Sequence, residues 1–513
     1  MPALEAASRS RDCEKQGKAA SRGNFIINRK LKGDYINRMK SRTTRSLIAA
    51  ILTFGASLFG QVRLSDTPAA HQISAWLAAF NSGDRATYLA FLQKNYPERA
   101  KEIDAAMGFR TQTGGFDLKQ AGECSATKCS AIVQEHDSNQ FARMTVEVDA
   151  ADPHVIKSFE LRAIPRPAEF LIPRMTEAEA LKAFRANLDQ AAAADRFSGA
   201  ALVAKNGKPI FTAVYGMADR EKKIPNKLDT KFRIGSMNKM FTATAVLQLE
   251  QAGKINLNDP LGKYLPDYPN KDVAAKVTIH QLLTHTGGTG DFFGPEFDKH
   301  RLELRTLQDY VKLYGDRALG FEPGSRWEYS NYGFLLLGLV VEKASGQDYY
   351  DYVREHILKP AGMNSTDSLP EDQPVSDRSV GYTKIDSPAW RPNMDTLPYR
   401  GTSAGGGYST GEDLLAFANG LESHKLLDVK HVDLLTTGKV ETPRGGSKYA
   451  YGFSDEVSAD GARCFGHGGG APGMNGELKI CPQSGYVIAV LANMDPQAAS
   501  NAADFIAARL PKN

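Results

Sequence analysis

Phe232-Arg-Ile-Gly-Ser-Met-Asn-Lys-Met240 is the stretch on which the reading of this chain turns. It puts Ser236 three residues ahead of Lys239, about one helical turn, so hydroxyl and amine leave the backbone on one face. An extended-looking segment, Thr230-Lys-Phe-Arg-Ile234, and Gly235 precede the serine. The run Met240-Phe-Thr-Ala-Thr-Ala-Val-Leu-Gln-Leu249 follows, and it predicts a buried helix closed by Gly253. A serine hydroxyl needs an adjacent base to become a nucleophile at neutral pH. A lysine amine can be that base when burial or a neighbouring cation lowers its pKa. A serine in the first turn of a helix also has unpaired N–H groups and the positive end of the dipole beside it, which suits a developing oxyanion. The stretch therefore predicts covalent acyl transfer through Ser236. The same spacing at Ser125-Ala-Thr-Lys128 lies in a short polar segment bracketed by Cys124 and Cys129, expected to be a hairpin tip.

Outward from the serine, the pattern predicts an α+β fold. A helix from Thr176 to about Ala194 leads into strands at Gly199–Ala204 and Pro209–Tyr215, joined by Asn206-Gly207, a strong hairpin signal. Residues 236 to about 420 read as mostly helical; their apolar run Phe334–Val341 is far too short to span a membrane. The last 65 or so residues return to strands, around Gly466 and at Tyr486–Leu491, and end in a helix. Strands at both ends enclosing helices give an antiparallel sheet flanked by helices with an all-helical insertion. There is no internal repeat.

The chain has 513 residues, long enough for two or three domains, with 42% apolar and 24% charged residues, ordinary for a globular protein. Its formal charge of +4 comes from the leader. Residues 1–60 hold 12 Lys and Arg against 4 Asp and Glu, leaving 51 against 55 in the rest, so nothing argues for a nucleic-acid partner. Met39-Lys-Ser-Arg-Thr-Thr-Arg45 followed by the apolar run Leu47–Phe59 matches a secretory signal peptide, predicted over 39–60. Residues 1–38 are then a mis-annotated or disordered extension, and the mature protein is expected to be periplasmic or extracellular with no membrane span. Cys124 with Cys129 and Cys464 with Cys481 form two locally spaced pairs, to be read either as disulfides or as buried thiols. No zinc-type spacing occurs, and neither a metal nor a cofactor is expected. Residues 66–168 show a helical pattern from Ala69 to about Arg99, broken at Asn81-Ser-Gly-Asp84, and alternating segments at 142–148 and 155–163. That order resembles a small NTF2-like α+β cone domain, with a binding or spacer role, ahead of a second domain at 175–513.

Two further motifs carry chemistry. Tyr329-Ser-Asn331 stands in a turn-rich loop before an apolar helix. A phenol beside an ammonium is expected to ionise more easily and to relay the serine proton, while Asn331 offers an amide to orient lysine and substrate. Gly466-His-Gly-Gly-Gly-Ala-Pro-Gly473 is expected on an edge strand, where glycines admit an acyl group close to the backbone and an N–H completes an oxyanion hole. Ser236-x-x-Lys239, Tyr329-x-Asn331 and His467-Gly-Gly469, in this order, resemble the beta-lactamase-related serine hydrolases: class C beta-lactamases, D-alanyl-D-alanine carboxypeptidases and related esterases. The likeness extends to Leu282-Leu-Thr-His-Thr-Gly287, Leu358-Lys-Pro-Ala-Gly-Met363 and Ala404-Gly-Gly-Gly-Tyr-Ser-Thr410. It implies Ser236 as the acylated nucleophile, Lys239 and Tyr329 sharing base and acid work, and Asn331 and His467 at the substrate. The N–H groups of Ser236 and Gly470, beside Gly469, would form the oxyanion hole.

The chain departs from that pattern where many relatives carry Lys-Thr-Gly and it has His467-Gly-Gly469. A histidine, mostly neutral at pH 7, weakens recognition of a substrate carboxylate by about 1–3 kcal/mol. The expected substrate is a small ester, amide or peptide, with beta-lactam hydrolysis weak; the alternative is a penicillin- or peptidoglycan-binding sensor or pseudoenzyme with little turnover. Gly407-Tyr-Ser409-Thr-Gly411 also fits the Gly-x-Ser-x-Gly elbow of lipases, with Asp455 or Asp460 and His467 as partners. The elbow needs a parallel strand before its serine, whereas a glycine run precedes Ser409 and Thr410 reads as a helix cap. His280 and His285 on a 279–285 helix are expected to be structural, and Asp291 and Glu296, in a polar loop, receive no role.

Overall fold

The computed structural model describes residues 62–512, apart from 386, 388, 444 and 445. The leader read as residues 1–38 and the signal-like segment 39–60 lie outside the described residues.

The first elements are helices Pro68–Asn81 and Arg85–Asn95, separated where Asp84 caps the second, and a third helix, Ile103–Thr113, that the sequence pattern missed. That helix carries Met, Gly and Thr among charged residues and has a weakly amphipathic face, so periodicity had little to find. Four antiparallel strands follow in meander order: Phe116–Cys124, Lys128–Glu135, Phe141–Val148 and Ile156–Ile164. Their inward residues, among them Val133, Met144 and Val146, close over Ile73, Trp76, Phe80 and Phe91 in a core of their own. Ser125 sits in the turn between the first two strands, and Cys124 and Cys129 are disulfide-bonded across it.

From Thr176, whose side chain and Glu179 form a reciprocal capping box on the Glu177–Ala193 helix, the larger fold begins. Its sheet has eight antiparallel strands in the order 440–441, 447–449, 454–457, 463–471, 474–481, 486–492, 199–205, 208–215. The Asn206-Gly207 turn closes the last pair with both residues at positive φ, +50° and +75°, as a two-residue hairpin of primed type requires. Strand Gly199–Lys205 lies between two neighbours and is covered on both faces. Leu202 and Ala204 therefore point into the core with Phe241 and Leu478, while Ala201 and Val203 point into a second core with Phe184 and Ile506. That two-sided burial is why Gly199-Ala-Ala-Leu-Val-Ala204 has no polar alternation.

The expected edge position of the 463–471 strand holds only for its second half. Three short strands between 440 and 457 extend the sheet past it, and Ser454–Val457 pairs with Arg463–Gly466. That pairing stops at Gly466, so from His467 onward the strand is paired on one side alone, with 474–478. The segments 440–449 are too short and too polar for a strand signal. Cys464 and Cys481 are disulfide-bonded across the 463–471 and 474–481 strands. Among the described residues no helix is long and apolar enough to cross a membrane.

Candidate active site

The Phe232–Gly235 strand and the Asn238–Gln251 helix meet at a turn, and Ser236 is in that turn rather than in the helix itself. The Ser236 carbonyl accepts from Lys239 N at 3.0 Å, so the helical twist begins at the serine and carries Lys239 back over it. The helix is buried all round from Asn238 to Leu247, nearly three turns, as an apolar helix must be. Lys239 shares that burial, with no exposed surface. Its Nζ is 3.3 Å from Ser236 Oγ, 2.7 Å from Asn331 Oδ1 and 2.6 Å from the Ala404 carbonyl. Burial pushes the amine down to about 7 from 10.5, while the charge of Asp291 opposes the shift. In the free-base form the two carbonyls take both N–H groups, and the lone pair is left for the serine hydroxyl.

Asn331 begins the Asn331–Ser345 helix, capped by Ser330. Its Nδ2 donates to Asp291 Oδ2 at 2.8 Å, so Asp291, given no role from sequence, proves to hold the far side of this amide. Nothing local in the sequence marks it: forty residues separate the pair, and a single aspartate among Gly290, Phe292 and Phe293 has no pattern. Glu296 instead pairs with His300 and Lys299 on its own short helix.

Tyr329 faces Ser236, and Lys239 Nζ lies 4.7 Å from its ring centroid. The expected easy ionisation of this phenol does not hold. Burial raises its pKa, the Ser236 side chain opposes that rise, and the nearby carboxylate of Asp291 adds to it. The helix expected to reach residue 285 stops at Leu283; His285 lies beyond it with φ +59°. There its Nδ1 accepts from Ser330 N at 3.1 Å and its ring lies 4.3 Å from that of Tyr329, which fixes the Tyr329–Asn331 turn.

On the opposite side, the 463–471 strand passes the serine at backbone distance. A Cβ on Gly469 would sit 1.8 Å from the Ile234 carbonyl and 3.0 Å from Ser236 N. One on Gly235, at φ +51°, would sit 2.9 Å from Gly470 N. Only glycine permits this approach, which sets Gly469 beside Ser236 N and Gly470 N beside Gly235. His467 is buried, with Nε2 3.0 Å from the Tyr449 hydroxyl and Nδ1 2.5 Å from the Gly468 carbonyl. Burial and then the Lys239 charge push it down to about 3, so it is neutral.

The rival serine is elsewhere in kind. Ser409 ends a strand antiparallel to 232–235, is fully buried, and bonds Thr366 Oγ1 at 2.7 Å; Thr410 caps the next helix. Asp455 pairs with Arg463 and Asp460 with Arg174, neither with His467. The Ser125 site remains a surface turn.

A two-faced sheet with a serine and a dry lysine at the head of a buried helix defines a serine hydrolase. Comparison with known proteins agrees: residues 184–511 match the family model described as Beta-lactamase, and the chain belongs to that family. Putative penicillin-binding protein PbpX of Bacillus subtilis is 32% identical over 296 residues, 58% of this chain and 70% of that protein. The crystal structure of a penicillin-binding protein from Bacillus halodurans is 34% identical with a TM-score of 0.57, covering 64% of this chain and 98% of that one. A D-stereospecific amidohydrolase from Streptomyces is 29% identical with a TM-score of 0.54, covering 63% and 97%.

Proposed function

We propose that this chain is an exported serine hydrolase that opens small esters, amides or D-amino-acid peptides through an acyl-enzyme on Ser236. The observation that carries this is the fully buried Lys239 amine, held by Asn331 and Ala404 with Ser236 as its third neighbour. Lys239 takes the Ser236 proton as Oγ attacks the substrate carbonyl, and the oxyanion forms between the Ser236 and Gly470 N–H groups. Tyr329, protonated at rest, gives its proton to the departing oxygen or nitrogen and is restored from the Lys239 ammonium, returning both groups to their starting forms. Water then repeats the sequence on the acyl-serine.

The substrate class follows from His467. A neutral imidazole bonded to Tyr449 offers no fixed cation, so a carboxylate beside the scissile bond gains little. The similarity to the D-stereospecific amidohydrolase of Streptomyces supports D-configured amides among the candidates. The two disulfides, which persist in oxidising compartments, support export, and residues 66–168 then act as an NTF2-like binding or spacer module preceding a hydrolase domain at 175–513.

Turnover of a p-nitrophenyl ester, a D-alanyl anilide and a fluorescent penicillin, assayed in cytoplasmic and exported fractions, tests the reading. Ester or anilide turnover in the exported fraction, about 5- to 150-fold above beta-lactam turnover, is expected from the 1–3 kcal/mol loss in carboxylate recognition. A stable penicillin adduct without ester or anilide turnover would make the protein a sensor instead.

A further inference from the structure

One carboxylate in this site touches neither the nucleophile nor the place where a substrate carbonyl would lie. Asp291 is in the segment between the 279–283 and 295–300 helices. Its Oδ1 accepts from Phe292 N at 2.7 Å and Phe293 N at 3.3 Å, and its carbonyl accepts from Arg317 Nη1 at 2.6 Å. Pinned in this way, it presents Oδ2 to Asn331 Nδ2. An ionised carboxylate only accepts, so it selects the amide orientation with NH2 toward itself and Oδ1 toward Lys239. With the amide turned over, NH2 would face an amine that already donates to Ala404, donor against donor, while two acceptors met at Asp291.

Resting on the Ser236–Lys239 reading above, we propose that Asp291 is a positioning residue for the general base. It fixes the Asn331 carbonyl on Lys239, and its charge, one amide away, steadies the ammonium that forms when the serine proton arrives. The surroundings of Lys239 support this. Tyr329 faces it from the 329–331 turn, neutral through burial; His285, behind Tyr329, and His467, on the 463–471 strand, both lose proton affinity through burial and the lysine charge. Tyr449, beyond His467, is likewise kept protonated. Asp291 is the charged neighbour that bears on the Lys239 amine.

Profiles of kcat/KM against pH for an activated ester, on full-length wild type, Asp291→Asn and Asp291→Ala with folding checked by circular dichroism, test the proposal. Asp291→Asn keeps an acceptor for Asn331 and removes the charge, so the acidic limb is expected to move to lower pH by about 0.5–1 unit. Asp291→Ala frees the amide as well and should lower plateau kcat by about tenfold or more with KM little changed. Folded variants with limb and plateau both at wild-type values would overturn the proposal. So would failure of both variants to fold while Asn331→Ala folds, because Asp291 would then serve the fold alone. Ser236→Ala separates the two levels. Turnover that survives it brings down the hydrolase reading and this inference with it; turnover that vanishes, with Asp291 variants unchanged, brings down the inference alone.

Discussion

An amine with no exposed surface is costly to keep charged, and Lys239 meets that cost by holding its proton only below about pH 7. The sign of the pH dependence follows. Below 7 the amine is an ammonium and cannot accept the serine proton, so acylation is expected to fall as pH drops through 7 and to level off above it, read as kcat/KM. Stability runs the same way. Between about 7 and 10.5 the unfolded chain binds a proton that the folded chain refuses, so stability rises with pH across that window. Lys239→Met is therefore expected to abolish turnover, by more than about 10³-fold, while leaving the urea midpoint equal or higher. A lower midpoint would mean that the lysine contributes to the fold instead of burdening it. The pair was legible in the sequence because its two members are one turn apart. Asp291 was not legible, because its partner is brought to it by the fold across forty residues. Tyr329 was found but its protonation was misjudged, since spacing says nothing of how dry a site is.

At the level of elements, the site is a junction in which the 232–235 and 463–471 strands touch through glycine. Gly469→Ala would drive a methyl into the Ile234 carbonyl, so the two strands must part and the Gly469–Gly470 backbone must move away from Ser236 N. Loss of about 10²-fold or more in kcat is expected, the scale on which removal of one oxyanion donor acts. Folding should survive in the 199–205 and 486–492 strands, and an active Gly469→Ala would show that the oxyanion lies elsewhere. The glycine run announced a close approach and its edge position from His467 on, but not the cover over residues 463–466. Its neighbours at 440–457 are two to four residues each, below the length at which alternation can be read. The hairpin at Asn206-Gly207 and the capped helix at Thr176 were legible because their signals are local and stereochemical.

Across the whole molecule, the strands that close the large sheet come from residues 199–215 and 440–492, with the helical region between them. That enclosure was legible as a change of periodicity along the chain, and the family match over 184–511 covers it. The 62–168 portion was legible in part: its later strands alternate plainly, whereas helix 103–113 does not. The central claim, that one serine at the head of one helix carries the chemistry, is tested most directly by fluorophosphonate labelling with peptide mass mapping of wild type, Ser236→Ala and Ser409→Ala. The account expects the adduct on the peptide containing Ser236, absent in Ser236→Ala and intact in Ser409→Ala. Labelling that persists in Ser236→Ala would contradict it.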